Sequence, residues 1–530
     1  MVLNPALDWS LRFYRTLPSI CSSGFPADKR PNMAVRTILA KKEWPQSSAG
    51  RTPGAPGRTS MSAVGIDSSN VGYAPATSGP NEISRRLESL PASPYLWRLV
   101  ILLSLGGCFE IYDLFLTGYI APGLTRSGLL STTTESFFGF SGIGAFVAAT
   151  FAGLFAGTFF LGFLADRFGR RAIFTFALLS YSAASVIMTF QTTSGGLLLW
   201  RFIAGIGIGV EIITIDAYIT ELVPSWMRGR AFAINQAVMF MAVPVVAFLA
   251  WSLVPLKPYG LDGWRWVVLI GAAASMVIWV LRLFVPESPL WLARHGRDRE
   301  AIAVVRKLEA ATGGQPQDFL MPEGRPSAAA QKASFSELFR APYLSLVVLF
   351  MVFNFCQAFG FYGFANWVPT LLVEKGITVT KSLQYSFIVA FAYPIAPLLA
   401  ASFADRYERK WIISGACVAI IAFGLAFAEL TQPVLLIACG VLLTAANTTM
   451  SYAYHAYQTE VFPTAVRARA AGLVYSMSRI SATFSGFIVA FMLREGGVTA
   501  VFALITAAMV VVIVTLAAFG PDVRGKALDA

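Results

Sequence analysis

Charged side chains are scarce in this sequence. Only 13% of its 530 residues are Asp, Glu, Lys or Arg and 56% are hydrophobic, which is far from the composition of a soluble globular protein. The five cysteines are scattered without the spacing of a zinc site or of a disulfide framework. The sequence also lacks a nucleophile–base pair, a metal-ligand cluster and a phosphate-binding loop. We therefore expect no enzymatic activity, no cofactor and no bound metal.

The basic residues are not concentrated in any one region. The net charge of +12 would suit a nucleic-acid partner if the Lys and Arg residues formed a patch or an arm. Instead they lie in loops between apolar segments, as the orientation signals of membrane proteins do. We therefore expect no nucleic-acid binding.

Long apolar runs make up most of the chain. Many exceed the roughly 18 residues that mark a membrane-spanning helix, and helices are expected because lipid offers no partner to a backbone amide. The twelve predicted segments are residues 97–122, 137–165, 172–191, 196–221, 231–255, 265–285, 343–372, 383–404, 411–430, 433–458, 470–493 and 498–519. The expected fold class is an all-α membrane protein with twelve transmembrane helices that contact the lipid bilayer.

The loops between these segments contain an internal repeat. The charged stretch Gly162–Arg171 returns as Ala401–Lys410, 239 positions later. Glu221–Arg230 returns as Glu460–Arg469 at the same offset. Two unrelated motifs that share one offset indicate an internal duplication, and parallel repeats of six helices are how one large class of transporters is built.

The repeat divides the chain into five parts. The predicted first half covers 95–285 and the second half 343–520, each with six spans. The charged stretch 286–342 links them, and 521–530 forms a short C-terminal tail. Residues 1–94 are rich in Ser, Pro, Gly and Ala, and we expect them to be disordered.

The N-terminal tail has two further interpretations. It lacks the apolar core and cleavage site of a signal peptide, and its acidic residues argue against a transit peptide. A start assigned too early, with Met61 as one possible true first residue, is the other interpretation. The loops that carry the repeat motifs hold far more Lys and Arg than the opposite loops. We therefore expect both termini to be cytoplasmic and the protein to lie in the cytoplasmic membrane.

A triplet of glycines lies in the fourth segment. Gly205, Gly207 and Gly209 alternate as in part of a nucleotide-binding loop, but no strand precedes them. In the middle of a spanning helix this pattern predicts close packing against neighbouring helices.

Several motifs resemble known transporters. The stretch Gly162–Arg171 and its repeat are similar to the signature between the second and third helices of the major facilitator superfamily. Pro286–Leu292, Pro521–Leu528 and Arg201–Gly209 resemble motifs of the sugar porters. Glu110–Pro122 in the first helix resembles the acidic–x–aromatic–Asp pattern of the aromatic-acid:proton symporters, with Glu where that family has Asp. These resemblances imply a metabolite:proton symporter with two pseudo-symmetric halves.

The seventh helix argues against a sugar as the substrate. Gln357 fits the sugar-porter frame, but Cys356 and Tyr362 stand where two amide side chains would bind sugar hydroxyls. Gln236 matches a sugar-binding glutamine of that family, whereas His455 replaces an aromatic residue of the tenth helix. The resemblance therefore leaves the substrate open.

Two carboxylates in the first helix are candidates for proton coupling. An ionised Asp113 within a spanning helix costs roughly 2.5–3.5 kcal/mol on insertion scales. Burial favours its neutral form and a nearby cation favours its charged form, so its charge state can depend on which side of the membrane is open. The resemblance implies Arg201 as the cation, and Glu110 lies three residues away on the same face. A permanent structural ion pair is the alternative, as is a role for Glu110 as a polar liner.

Arg479 in the eleventh segment is the candidate for binding a carboxylate. Its guanidinium stays ionised and its planar fork suits a carboxylate. Pairing with a buried acid is the alternative, and Glu211 of the fourth segment is one possible partner. The complete set of predicted substrate-binding residues is Arg479, Gln236, Gln357, Tyr362, His455 and Asn366.

The repeat motifs are the candidates for gating. Ion pairs between helix ends can latch one state of a carrier and break when the halves rock. The predicted gating residues are Asp166, Arg167, Arg170, Arg171, Glu221 and Arg228, with Asp405, Arg406, Glu460 and Arg467 in the second half.

The sequence therefore predicts a monomeric alternating-access carrier that moves a small organic carboxylate, aromatic in character, together with a proton. Asp113 and Arg201 would link the proton, and Arg479 would bind the substrate. The alternatives are a sugar or polyol porter, a carrier driven by the substrate gradient alone, and a membrane sensor that binds a ligand without transporting it.

Overall fold

The structure is a computed structural model, and the descriptions below concern only the residues that it describes. These residues are 80–134, 136–161, 164–283, 285–313, 335–341, 343–404, 407–462 and 466–522. The N-terminal tail up to residue 79 lies outside this part of the chain, as do Asp405, Arg406 and the last eight residues.

The first half contains six long helices, which we number α1–α6. Their bounds are α1 Pro94–Arg126, α2 Ile143–Leu161, α3 Arg170–Thr189, α4 Ser194–Leu222, α5 Ser225–Leu253 and α6 Gly263–Arg282. Shorter helices lie outside these spans, at Pro80–Glu88, Leu164–Phe168, Pro289–Arg294 and Asp298–Thr312.

The second half contains α7–α12. Their bounds are α7 Tyr343–Ala365 continued by Val368–Glu374, α8 Val379–Ala390 continued by Ala392–Ala404, α9 Arg409–Glu429 and α10 Pro433–Val461. One long helix, Arg467–Phe519, loses its helical backbone angles at Gly496 and Gly497, where φ reaches 65°. The two arms on either side of these glycines are α11 and α12.

The spans confirm the predicted architecture. Eleven of the described helices are long and apolar enough to cross a membrane, and the last of them supplies two spans. The twelve helices form two six-helix halves. One predicted boundary is wrong, because the second segment begins at Ile143 rather than at residue 137. The preceding residues turn back, and the Ser131 amide donates to the Ser141 carbonyl at 2.8 Å.

Two facing helices, α5 and α8, are interrupted near their middles for the same chemical reason. The helix in α5 breaks after Phe240 and that in α8 after Ala390. Pro244 and Pro394 each follow four residues later. Proline has no N–H to donate to the carbonyl four residues earlier, so each helix loses one hydrogen bond at its break.

Glycines bring α2 and α4 into backbone contact. A Cβ added at Gly205 would lie 2.4 Å from the Thr150 carbonyl, and one at Gly209 would lie 2.2 Å from the Leu154 carbonyl. A Cβ at Gly207 would instead meet Tyr181 of α3 at 2.9 Å. The predicted role of these glycines in helix packing is confirmed.

Gly205→Leu should destabilise the protein strongly. The added side chain would force α4 away from α2, and overpacking of this kind costs typically about 1–3 kcal/mol. Gly415 of α9 is the matched control, because a Cβ there meets nothing within 4 Å. We expect Gly205→Leu to lower the yield and melting temperature of the purified protein, with Gly415→Leu close to wild type. Equal melting temperatures for the two variants would contradict this packing.

The two halves contact each other through α2 and α11 and through α5 and α8. We call the end with the repeat motifs the motif end and the other the opposite end. At the opposite end, a Cβ on Gly144 of α2 would lie 2.7 Å from the Gly486 carbonyl of α11. Arg494 donates to the Thr134 carbonyl at 2.7 Å.

The short helix Pro80–Glu88 corrects the prediction that the whole N-terminal tail is disordered. Its apolar side chains are buried, and Arg86 forms a buried ion pair with Glu309. Glu88 accepts hydrogen bonds from the backbone and hydroxyl of Ser225 and pairs with Arg228 at 2.9 Å. Although partial burial opposes it, the hydrogen bonds from Ser225 and the charge of Arg228 lower the pKa of the Glu88 carboxyl. This helix therefore ties α5 to the helix Asp298–Thr312.

Candidate functional site

The structure brings the predicted proton-coupling residues together. Arg201 of α4 donates from Nη1 to Oδ2 of Asp113 of α1 at 2.8 Å, and both side chains are buried. Ser185 of α3 donates to the other carboxylate oxygen at 3.1 Å. Glu110, one turn earlier on α1, is also buried.

Arg201 has further acceptors besides the Asp113 carboxylate. Its Nε donates to the Thr150 hydroxyl at 2.9 Å, and Nη2 donates to the Thr117 hydroxyl at 2.6 Å and to the Asp113 carbonyl at 2.5 Å. These neutral acceptors hold the guanidinium in place whether or not the carboxylate is charged. They orient the guanidinium but do not replace the negative charge that the Asp113 carboxylate supplies.

Arg479 of α11 lies in a different environment. Its Nη1 donates to the Tyr362 hydroxyl at 2.9 Å and its Nη2 to the Tyr475 hydroxyl at 2.8 Å. The side chain is buried, and no carboxylate in the described part of the chain pairs with it. Its Nε has no hydrogen-bond partner among these residues. The buried guanidinium is therefore held by neutral hydroxyls, which leave its charge uncompensated.

Aromatic rings surround this guanidinium. It lies 4.7 Å from the centre of the Tyr475 ring, and the His455 ring lies 5.6 Å from the same ring. Tyr362 contacts Phe151 of α2 in the first half, with ring centres 4.5 Å apart. The cluster therefore lies where the two halves meet, and Tyr362, His455 and Tyr475 are only partly buried. Sequence reasoning missed Tyr475, although it lies one helical turn before Arg479.

The other predicted substrate-binding residues are not joined to Arg479 by any described hydrogen bond. Gln357 and Asn366 of the second half are buried, and the Asn366 side-chain oxygen has no partner among the described residues. Gln236 of α5 is half-buried. The Asn366 backbone approaches α1 so closely that a Cβ on Gly118 would lie 2.4 Å from its carbonyl. Asn366 therefore lies at the contact between the halves.

Matching ion pairs occur at the motif end of each half. Arg170 pairs with Glu221 at 3.2 Å, and Arg409 pairs with Glu460 at 3.3 Å. Arg409 follows Arg170 by the repeat offset of 239, as Glu460 follows Glu221. Sequence reasoning missed Arg409, which this offset would have found. Each pair joins the start of one helix to the end of the next within its own half.

Acidic residues that follow the sixth and twelfth helices bind at the starts of α3 and α9, next to these ion pairs. Glu287 accepts from the backbone amides of Arg170 and Arg171 at 3.0 and 3.1 Å, so it caps the start of α3. Asp522 pairs with Lys410 near the start of α9 at 2.7 Å. Carboxylates near the N-termini of helices are stabilised by the helix dipole.

The remaining predicted gating residues are dispersed. Arg167 is exposed over the Phe168 ring, and Arg171 donates to the Leu283 carbonyl at 2.5 Å. Arg228 donates to the Val223 carbonyl at 3.0 Å in addition to its pair with Glu88. The side chains of Asp166 and Arg467 lie outside the described part of the structure, as do Asp405 and Arg406.

Glu211 does not pair with Arg479, the partner considered from the sequence. It pairs instead with Arg282 at the end of α6, and both side chains are fully buried. This pair lies within the first half, whereas Arg479 belongs to the second. Arg282 is a charged residue near the end of the sixth apolar segment. This position was the one signal in the sequence that indicated a buried charge there.

These features define the class of protein. Two repeated bundles of six apolar helices meet around buried charges in the interior, where a solute must pass. A chain of this kind is a multi-pass membrane transporter with the major facilitator fold, and it binds a small-molecule substrate.

Comparison with known families identifies the branch. The profile described as "Sugar (and other) transporter" matches residues 99–530, and the chain belongs to this family. The family consists of transporters, as expected from the absence of enzymatic motifs in the sequence.

Three similar proteins come from bacteria. The putative metabolite transport protein YyaJ of Bacillus subtilis is 26% identical over 84% of this chain and 96% of its own length. The niacin transporter NiaP of Acinetobacter baylyi is 27% identical over 84% of this chain and 99% of its own. The 4-hydroxybenzoate transporter PcaK of the same organism is 24% identical over 77% and 87%.

Solved structures share the fold. The xylose transporter XylE of Escherichia coli, in a partially occluded inward-open conformation, superimposes with a TM-score of 0.66. The identity is 19%, and the match covers 82% of this chain and all of XylE. A crystal structure described as the D-xylose–proton symporter gives a TM-score of 0.65 with 99% of that chain covered.

Proposed function

We propose that the protein carries a small aromatic carboxylate together with a proton across the cytoplasmic membrane by alternating access. It would act as a monomer, with both termini in the cytoplasm. The lysine- and arginine-rich motif end would then face inward. The contacts between the halves at the opposite end would close the outer side of the pathway.

The uncompensated charge of Arg479 is the observation that carries this proposal. A buried ion is costly unless it is paired, and Tyr362 and Tyr475 offer Arg479 hydroxyl oxygens without negative charge. A carboxylate from the substrate would supply the missing charge through a charge-assisted hydrogen bond. Nε, which lacks an acceptor among the described residues, would be one donor.

The surroundings of Arg479 favour an aromatic substrate. Aromatic rings interact through offset-stacked or edge-to-face contacts, and Tyr475, Tyr362 and His455 present partly exposed rings beside the guanidinium. Gln236, Gln357 and Asn366 would donate or accept hydrogen bonds to further polar groups on the substrate. Relatives named as transporters of niacin and of 4-hydroxybenzoate, both aromatic acids, support this choice.

Proton linkage would reside at Asp113, with Arg201 holding the site in both charge states and Glu110 nearby. The pairs Arg170–Glu221 and Arg409–Glu460 would act as gating elements. Each pair would hold the start of one helix against the end of the next helix in its own half while the two halves rotate against each other. The other predicted gating residues of the two motifs would meet across the motif end when it closes.

Uptake into proteoliposomes tests the proposal. We expect labelled benzoate, nicotinate or 4-hydroxybenzoate to accumulate when an inward pH gradient is imposed, and labelled xylose and glucose to remain at background. Protein-free vesicles are the control, because the neutral form of a weak acid crosses lipid unaided. Uptake of the sugars alone would favour a sugar porter, whose family profile the chain matches. Binding of an acid without flux would favour a sensor.

A further inference from the structure

The first half contains a second buried charge pair, between Glu211 and Arg282. Arg282 also donates to the Phe174 carbonyl at 2.5 Å, and its guanidinium lies 3.6 Å from the centre of the Phe174 ring. Gly106 of α1 provides the room, since a Cβ there would lie 2.4 Å from Nη2. Replacing a buried ion pair by apolar residues is often neutral or stabilising. Stability therefore does not explain why a charge pair is buried at this position, and we expect the pair to have another role.

Three polar atoms around this pair lack a hydrogen-bond partner among the described residues. They are Oε2 of Glu211, Nε of Arg282 and the hydroxyl of Tyr181. Buried polar groups are nearly always hydrogen-bonded, so three such atoms from adjacent helices indicate a bound water or a proton-exchanging group. Tyr181 lines a cavity with Asp113, and a Cβ at Gly207, one helical turn before Glu211 on α4, would lie 2.9 Å from the Tyr181 Cβ.

A small cavity extends from Asp113 to Tyr181. Its volume is about 10 Å³, which is room for a single water molecule. Ser185, Ser182 and Ser275 also line it, so a water there would find several hydroxyl partners. The cavity lies between α1, α3 and α6, inside the first half and separate from the Arg479 cluster.

The two charge pairs are separated along the bundle axis. Arg201 and Glu211 are ten residues apart on α4, which at 1.5 Å per residue is about 15 Å. On α1, Glu110 and Asp113 lie on the same face as Gly106, which contacts Arg282. A line of buried polar groups therefore leads from Asp113 towards the motif end.

We propose that Glu211 is a second proton-binding carboxylate, which receives the proton of Asp113 through a water in this cavity, the Tyr181 hydroxyl and a second water bound by the unpartnered atoms of Tyr181, Glu211 and Arg282. The O–H bond of protonated Asp113 breaks, the two waters and the hydroxyl each accept one proton and donate another, and an O–H bond forms on Glu211. One proton moves and no electrons are transferred. Arg201 then faces a charged Asp113, and Arg282 faces a neutral Glu211.

This inference rests on the proton coupling proposed above, and it adds a path of release towards the motif end. Glu110, which also lies near Tyr181, would raise the local negative potential and keep the proton within the first half. Glu221 and Arg170 lie beyond Glu211, at the motif end of α4 and α3. The line of groups therefore ends where the proposed inward-facing pathway opens.

Two transport measurements separate proton release from substrate movement. Net uptake of labelled 4-hydroxybenzoate driven by a pH gradient requires the carrier to release its proton in each cycle. Exchange of labelled for unlabelled substrate at equal pH moves the loaded carrier back and forth without that release. We expect Tyr181→Phe, and the double variant Glu211→Gln with Arg282→Gln, to lower net uptake at least tenfold and to leave exchange within twofold of wild type.

Tyr112→Phe is the matched control. Tyr112 lines the same cavity, but its hydroxyl already donates to the Val267 carbonyl at 2.8 Å, so it cannot pass a proton on. Net uptake by Tyr181→Phe equal to that of Tyr112→Phe would overturn the relay. So would loss of exchange together with net uptake in Tyr181→Phe, since that pattern reports a structural role.

Infrared titration of the purified protein in D₂O decides the question without a substrate. The carbonyl band of a protonated carboxyl grows as pH falls, and the double variant should lack one such band and alter the titration of the Asp113 band. Unchanged titrating bands would refute the relay. If the wild type moves no aromatic acid, the proposed function fails, and the infrared result still stands for or against Glu211.

Discussion

Arg479→Ala should abolish the transport of aromatic acids. Removing one partner of a buried charge contact costs about 2–5 kcal/mol, which at about 1.4 kcal/mol per tenfold corresponds to roughly a 30-fold to several-thousand-fold loss of affinity. Uptake of labelled benzoate, nicotinate and 4-hydroxybenzoate should therefore fall to the level of protein-free vesicles. Arg479→Lys should recover only part of the activity, because an ammonium lacks the planar fork of a guanidinium.

Arg306→Ala is the control for this variant. Arg306 is an exposed arginine of the helix Asp298–Thr312, outside the spans and away from the Arg479 cluster. We expect it to transport like wild type. Aromatic-acid uptake that survives in Arg479→Ala, in protein of normal yield and melting temperature, would exclude Arg479 as the carboxylate-binding group.

Asp113→Asn should uncouple transport from the pH gradient. One pH unit supplies about 1.4 kcal/mol per proton, and hence up to roughly tenfold accumulation for a carrier that moves one proton with each substrate. The variant cannot bind that proton, and Thr117 and Thr150 still accept hydrogen bonds from Arg201. We expect its accumulation ratio to fall to about one while exchange at equal pH persists.

Asp262→Asn is the matched carboxylate control. Asp262 lies in the loop before α6, where it pairs with Lys257 at 2.9 Å, and its loss should leave coupling intact. If Asp113→Asn still accumulated substrate against its gradient, Asp113 and Arg201 would be a permanent structural pair. The carrier would then be coupled elsewhere or driven by the substrate alone.

Much of the fold was predictable because lipid restricts what a chain can do. A run such as 265–285 has to be helical once it is apolar enough to lie in the bilayer, and α6 at Gly263–Arg282 agrees closely. The internal repeat fixed the division into halves. The start of α2 was harder to predict from the sequence, because residues 137–142 are largely apolar yet form a turn. Phe137 packs there against Phe487 of α11, a contact that no local pattern reveals.

The candidate site was predictable in part. Asp113, Arg201 and Arg479 stood out because an ionisable group in an apolar segment is costly and needs a reason. Their partners did not stand out, because tyrosines, threonines and serines are common in spanning helices and only the packing selects Tyr475, Thr150 or Ser185. The pairing of Glu211 with Arg282 depends on the packing of α4 and α6 against α3, which sequence separation does not encode.

The N-terminal helix Pro80–Glu88 sets a limit on how far this chain tolerates shortening. Deleting everything before residue 80 would leave all the described contacts in place. Trimming to residue 95, where the first half was predicted to begin, would remove the guanidinium that neutralises Glu309 and the carboxylate that holds Ser225 and Arg228. A minimal version for purification therefore has to start before the first membrane crossing, at a segment whose sequence alone gave no reason to keep it.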